Sequence, residues 1–284
     1  MLQFVVYKIG AFLAENLPRR IAYAISRFLF YLHYIFYFRD RRAVRNNLRQ
    51  ILGTGVNLYY PVKDVFRNFG IYIVEFLKMR KTYDAAFLKS NVKCENVHYL
   101  DEALRRGRGG IIVTAHIGNW ELGAAFMSLL GYPLNVVALP HKSGLVNEFF
   151  NKQRESKGLR VISTQDAPRQ CLKLLKENKI LAIVAERDFT PEGELMDFLG
   201  RKAKIPKGAA FFAYKTKAAI IPAYLLREKE DKFILSIERP IYPDEALDKE
   251  SSVKDLMSRY VLSLERKIRE NPTQWLMFRE FWAQ

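Results

Sequence analysis

From Ile21 to Phe38 the chain reads IAYAISRFLFYLHYIFYF, an apolar and aromatic run broken only by Ser26, Arg27 and His33. At a rise of about 1.5 Å per residue, a helix of this length approaches the ~30 Å hydrocarbon thickness of a bilayer. The run therefore predicts a helix that crosses a membrane or lies in its interface, where aromatic rings settle. Over Val65 to Arg80 (VFRNFGIYIVEFLKMR) apolar residues recur at helical spacing, so residues 1–90 read as a helical, membrane-associating region. At Gly109 the pattern changes. GIIVTA (110–115), LNVVAL (134–139), LRVIS (159–163), ILAIVA (180–185) and AAIIPAYLL (218–226) are short apolar runs of strand length. Helical stretches such as ELGAAFMSLL and PRQCLKLLKENK separate them. Such alternation predicts an α/β domain over 91–284, with a mostly parallel sheet flanked by helices. FILSIERPI (233–241) follows the last run across the charged turn REKEDK, which predicts an antiparallel hairpin near one edge. A helix over Val253 to Arg269 and an aromatic tail close the chain.

Charge narrows the neighbourhood more than the mechanism. Lys and Arg number 46 against 30 Asp and Glu, a net charge of +16. That balance favours polyanionic partners: nucleic acid, anionic lipid, phosphate-bearing substrates or an acidic carrier protein. Arg19 and Arg20 precede the aromatic run, and Arg39, Arg41, Arg42, Arg45 and Arg49 follow it. If the run spans, positive-inside bias places the following domain in the cytoplasm; if it lies flat, the same arginines grip anionic head groups. No small-residue cleavage site follows, so the run does not read as a signal peptide. Cys94 and Cys171 stand in no metal-ligand or redox spacing and read as inert thiols.

The candidate chemistry lies in TAHIGNWELGA. His116 directly follows a predicted buried strand, and strand C-termini of open α/β sheets are where ligands bind. Asn119 suits the N-cap of a helix beginning near Trp120, and Glu121 falls in its first turn. A carboxylate that holds one imidazole nitrogen leaves the other basic, which is what removal of a proton from an alcohol requires. We therefore expect His116 to pair with Glu121. The same two residues also fit a structural hydrogen bond at a loop. No Gly-x-Ser-x-Gly elbow, Walker loop or dinucleotide fingerprint accompanies them. Farther along, Glu186, Arg187 and Asp188 close a predicted strand; Glu186 and Asp188 fit either a role in contacting substrate or positioning the histidine, or a strand-end pair neutralised by Arg187 or Arg154. Arg201, Lys202, Lys204 and Lys207 precede a helix predicted near Pro206, whose N-terminus with Gly208 suits a phosphate.

These residues resemble the bacterial lipid A biosynthesis acyltransferases and the related phosphatidylinositol mannoside acyltransferases, within the lysophospholipid acyltransferase superfamily. The resemblance runs from the N-terminal helix nearly to Gln284. It rests on His116 and Glu121 in HIGNWELG, on Glu186, Arg187 and Asp188, and on Phe198, Gly200, Arg201, Ala203, Pro206, Lys207 and Gly208 in FLGRKAKIPKGAA. Pro222, and then Pro272, Gln274, Trp275, Phe278, Arg279 and Trp282, also match. Glu186 stands where Asp is usual, and Leu139, Pro140, His141 and Lys142 replace an Arg-Pro found in many members.

The resemblance implies a glycerolipid-acyltransferase-like core and O-acyl transfer from an acyl carrier protein or coenzyme A thioester to a hydroxyl of a membrane glycolipid. His116 and Glu121 would be catalytic. Asn119, Arg154, Glu186, Arg187, Asp188, Arg201, Lys204, Lys207 and Gly208 would bind substrate. No cofactor beyond the thioester co-substrate, no metal and no nucleic acid are expected. The location implied is the cytoplasmic face of the inner membrane, on an anionic surface. A basic lipid- or nucleic-acid-binding protein without catalysis, and a lipid hydrolase using the same histidine, are the alternative readings.

Overall fold

The computed structural model describes residues 1–187 and 193–282. Four helices open the chain: α1 (Leu2–Asn16), α2 (Arg19–Phe36), α3 (Phe38–Leu52) and α4 (Tyr59–Thr82). The short α5 (Ala85–Asn91) leads into β1 (Val92–Glu95), α6 (His98–Arg105) and β2 (Gly110–Thr114). Alternation follows through α7 (Trp120–Leu129), β3 (Leu134–Ala138), α8 (Gly144–Glu155), β4 (Arg160–Ser163), α9 (Ala167–Lys176) and β5 (Ile180–Val184). A hairpin of β6 (Glu194–Phe198) and β7 (Arg201–Ile205) precedes α10 (Gly208–Thr216), β8 (Ala219–Lys229), β9 (Lys232–Ile237) and α11 (Lys249–Glu270).

Seven strands form one sheet in the order β1-β9-β8-β2-β5-β3-β4. The five apolar runs of the sequence are its parallel strands β2, β3, β4, β5 and β8. The β8–β9 pair is antiparallel as its turn predicts, but β9 is not an edge. β1, unforeseen because VKCE lacks an apolar run, pairs parallel to β9 and takes the edge. Missed too was the β6–β7 hairpin, whose alternating polar residues leave only one face to bury. The sheet is covered on both faces, so β2 reads as continuously apolar and is buried at every position. Ile112 packs with α1, α4, α6, α7 and α8, whereas Ile111 and Val113 pack with α9, α10 and α11.

The aromatic N-terminal run is broken rather than straight. α2 ends at Phe36, and α3 departs from it at 92°. Among the described residues no single helix is long and apolar enough to cross a membrane, while this bent pair passes by length and composition. On α2, Ile21, Ile25, Phe28, Leu29, Ile35 and Phe36 are exposed at positions i, i+4, i+7, i+8, i+14 and i+15, one helical stripe. Val5, Val6, Ile9, Phe12 and Leu13 of α1 are exposed as well. Arg39, Arg42, Arg45 and Arg49 form an outward row on α3, opposite buried Ala43, Val44 and Leu48.

α2 is seated on α4 at Gly70, whose carbonyl accepts a bond from Ser26 Oγ at 2.7 Å. A Cβ at position 70 would meet the Phe30 ring at 2.8 Å and Ser26 Oγ at 2.9 Å, so the two helices approach only because this residue has no side chain. Gly70→Ile is expected to force α2 off α4 and to cost about 1–3 kcal/mol, the usual penalty of overpacking. Chemical denaturation of the purified protein measures it.

Candidate active site

β2 and β5 are adjacent and parallel, with Thr114 opposite Val184. Two residues beyond each partner, the same register sets His116 beside Glu186. The main-chain N–H of His116 donates to Glu186 Oε1 at 2.8 Å, and imidazole Nδ1 lies 2.7 Å from the same oxygen. Glu186 has no exposure to solvent. Burial pushes its carboxyl up, but the charge and both hydrogen bonds of His116 outweigh that and hold it below its ordinary value. An ionised carboxylate on Nδ1 fixes the proton there and leaves Nε2 with its lone pair.

The expected partner, Glu121, is engaged elsewhere. Both its oxygens accept from Arg154 of α8, from Nε at 2.9 Å and from Nη2 at 2.6 Å. The pairing of His116 with Glu121 is therefore replaced by two pairs, His116–Glu186 and Glu121–Arg154. The cause is geometric: residue 121 belongs to the helix and faces α8, while β5 runs alongside β2. Asn119 is the N-cap of α7 as expected, accepting from Leu122 N at 3.0 Å. Its amide nitrogen donates to Glu75 at 2.8 Å, and the side chain is buried. With both polar atoms used, Asn119 is corrected from a substrate contact to a structural one.

His116, Glu121, Arg154, Arg187, Lys207 and Gly208 line one cavity of about 1410 Å³. It exceeds the roughly 300–1,000 Å³ of an ordinary small-molecule pocket. Tyr72, Ala124, Val136, Phe150, Ala182 and Phe211 supply much of its wall, so the space suits a long apolar group. Trp120 stands edge-on to the imidazole with centroids 4.8 Å apart and stacks on Tyr72 at 4.5 Å. In the cavity wall, Lys207 lies 3.8 Å from Glu194, and the α10 N-terminus has no side-chain cap. Arg201 and Lys204 do not line the cavity; Arg201 lies 5.9 Å over the Trp282 ring. Asp188 falls outside the described residues.

Sequence reasoning missed Tyr72, His141, Lys249 and Lys254, all in the cavity wall. His141 occupies the position where an Arg-Pro is common; burial first, then Arg154, lowers its imidazole pKa. No local motif marks the others, since they arrive from α4 and the start of α11.

The segment 116–119 is held by main-chain bonds from both sides. Leu276 N donates to His116 O at 2.8 Å, Gly118 N to Gln274 O at 2.9 Å and Asn119 N to Leu225 O at 3.0 Å. The aromatic C-terminal motif thus braces the histidine loop. Gly118 has φ +61°, and a Cβ there would sit 2.0 Å from Leu225 O.

A histidine held by a buried carboxylate at a strand end thus opens on a large cavity in an α/β sheet, its wall in good part apolar. The chain belongs to the bacterial lipid A biosynthesis acyltransferase family, which matches residues 2–284. It is similar to the phosphatidylinositol mannoside acyltransferase of Mycolicibacterium smegmatis, at 31% identity over 133 residues, 45% of this chain and 44% of that protein. The phosphatidylinositol mannoside acyltransferase of Mycobacterium tuberculosis (strain H37Rv) is 31% identical over 130 residues, 44% of this chain and 41% of that protein. The matched stretch spans less than half the length of these relatives.

Gly118→Ala is expected to displace the Leu225 carbonyl or the loop itself, because backbone on both sides leaves the methyl no room. Left-handed strain adds about 1–2 kcal/mol. A fall in thermal stability larger than that of Gly55→Ala, where nothing lies within 4 Å, is the expected reading.

Proposed function

We propose that this chain is an O-acyltransferase that moves a fatty-acyl group from an acyl thioester, carried by acyl carrier protein or coenzyme A, to a hydroxyl of a membrane glycolipid. One observation carries the reading: Nδ1 of His116 is held by the buried Glu186 carboxylate at the edge of a large apolar cavity. In the reaction, Nε2 takes the proton of the acceptor hydroxyl as its oxygen attacks the thioester carbonyl. The tetrahedral intermediate collapses with loss of the thiolate, and the imidazolium returns the proton to sulfur. Glu186 stabilises the imidazolium between those two steps. No covalent enzyme intermediate and no metal are required. The apolar wall takes the acyl chain. Lys207, Gly208 and Arg187 in the cavity wall suit a phosphate of donor or acceptor.

The exposed stripe of α2 with the apolar residues of α1 suits insertion into a lipid interface, and the arginine row of α3 suits anionic head groups. On this reading the protein works at the cytoplasmic face of the inner membrane. A lipid hydrolase with the same histidine would deliver water rather than a glycolipid hydroxyl to the thioester.

His116→Ala is expected to lower transfer to a lipid acceptor by about 10²–10⁴-fold, the usual contribution of a positioned base, with the protein folded. Glu186→Gln, which keeps an acceptor oxygen but removes the charge, is expected to fall in the same range. Mass spectrometry of the products separates acylated glycolipid from free fatty acid. Near-normal transfer by purified His116→Ala overturns the site, and free fatty acid as the sole product of the intact protein overturns the transferase.

For the membrane, the intact chain is expected to float with vesicles containing anionic lipid in a density gradient. Replacing Ile25, Phe28 and Leu29 by Ser should move it to the bottom fractions, because three exposed apolar anchors are lost without disturbing the face on α4.

A further inference from the structure

Glu75 of α4 is a fully engaged buried charge outside the cavity lining. It has no solvent exposure, yet receives four hydrogen bonds. Tyr23 Oη donates to Oε1 at 2.9 Å and Asn119 Nδ2 to Oε2 at 2.8 Å. The Arg227 guanidinium, from β8, grips both oxygens, with Nη2 at 2.6 Å from Oε2 and Nη1 on Oε1. Burial alone pulls the Arg227 pKa down, but Glu75 outweighs it and holds the guanidinium charged.

A buried ion pair is a poor investment for stability alone, since apolar residues of similar volume often serve as well or better. Its contacts point to another use. Asn119 is three residues from His116, and its remaining polar atom caps α7. Arg227 is bonded through its main chain to the Gln274 side chain, N to Oε1 at 2.9 Å and O from Nε2 at 3.0 Å. Gln274 in turn accepts from Gly118 N. Glu75 thus reaches the loop after His116 by two routes, directly through Asn119 and indirectly through Arg227 and Gln274.

We propose that Glu75 is a positioning residue: through Asn119 and Arg227 it fixes the loop that carries His116, and with it the aim of the imidazole into the cavity. The proposal rests on His116 being the base. A misplacement of about 1 Å at a reacting group can cost about 100-fold in rate, so a loop freed at this anchor loses turnover while the cavity that binds the acyl chain is untouched.

The test separates a cap from an anchor. Asn119→Ser keeps a good N-cap acceptor, adds no charge and removes the donor to Glu75. Asn119→Asp keeps the cap but sets two carboxylates together. The double variant Glu75→Gln with Asn119→Asp restores the hydrogen bond in reversed polarity and keeps a single carboxylate in the cluster, now on residue 119, whose side chain shares Glu75 Oε2 with Arg227 Nη2 in the intact chain. With a palmitoyl-coenzyme A donor and lipid extract as acceptor, in detergent micelles, kcat of Asn119→Ser and Asn119→Asp is expected to fall about 10- to 100-fold with the donor KM unchanged. The double variant should regain most of the loss suffered by Asn119→Asp. Thermal melts establish that each variant is folded; if Asn119→Asp is not, the comparison of Asn119→Ser with the intact chain decides. Wild-type kcat in Asn119→Ser, or a folded double variant no better than folded Asn119→Asp, overturns the proposal. His116→Ala in the same assay keeps the two questions apart. If it is inactive while Asn119→Ser is normal, only the positioning role fails; if it is active, the site itself is misassigned.

Discussion

A carboxylate without access to water costs several kcal/mol unless fixed donors meet its charge. Glu186 is such a group, and His116 meets it through main-chain N–H and imidazole together. Much of the site follows from that pairing. It orients the ring, it sets which nitrogen bears the proton, and it is possible only because β2 and β5 run parallel in a register that ends both strands together. The order of the sheet supplies this, since the chain leaves β2, builds β3 and β4 outward, and returns to place β5 between β2 and β3. Ligand space opens where the connections diverge, above the strand ends.

Around this pair the molecule divides its surface by physical character. The cavity wall is in good part apolar and carries the charged residues Glu121, Arg154, Arg187 and Lys207 as well. The N-terminal helices show the opposite sense, with apolar side chains outward on α1 and α2 and their small or polar residues, Ala22 and Ser26, turned toward the interior. A soluble amphipathic helix buries its apolar stripe. α2 exposes one, and the 92° turn into α3 places a row of arginines directly after it. α4, by contrast, is buried along much of its length and delivers Tyr72 to the cavity and Glu75 to the loop anchor.

How much of this was legible in the chain depended on range. The five parallel strands announced themselves because each is buried on both faces and reads as an unbroken apolar run. His116 was legible because it ends one of them, and the N-cap role of Asn119 followed from its place before a helix. The partner was half legible: Glu121 was expected to pair with His116, and Glu186 was weighed as a histidine-positioning group without being assigned the pairing. Glu121 is near in sequence, whereas Glu186 is 70 residues away and reaches His116 through strand register, which a single sequence does not display. Arg201 and Lys204 read as part of a phosphate cradle because they precede a helix. They fall on β7 of a two-stranded hairpin, where both are exposed and neither lines the cavity, leaving Lys207 and Gly208 at its wall.

The exchange of partners also settles how the charges of the quartet are held. Glu121 and Arg154 satisfy one another in a two-bond fork, the geometry in which guanidinium and carboxylate match best. Burial alone lowers the Arg154 pKa, but Glu121 outweighs it, so the guanidinium stays charged and its carboxylate partner is held. Glu186 is bound by the two donors of His116. Each carboxylate thus has a cation or donors of its own. His116 lines the cavity with its Nδ1 held by Glu186, whereas Glu186 Oε2, which has no hydrogen-bond partner among the described residues, is buried. Had His116 paired with Glu121, Arg154 would have been left as a buried charge without its counter-ion in an apolar wall, at a cost of several kcal/mol. The arrangement with two separate pairs avoids that cost and leaves the His116 ring in the cavity wall.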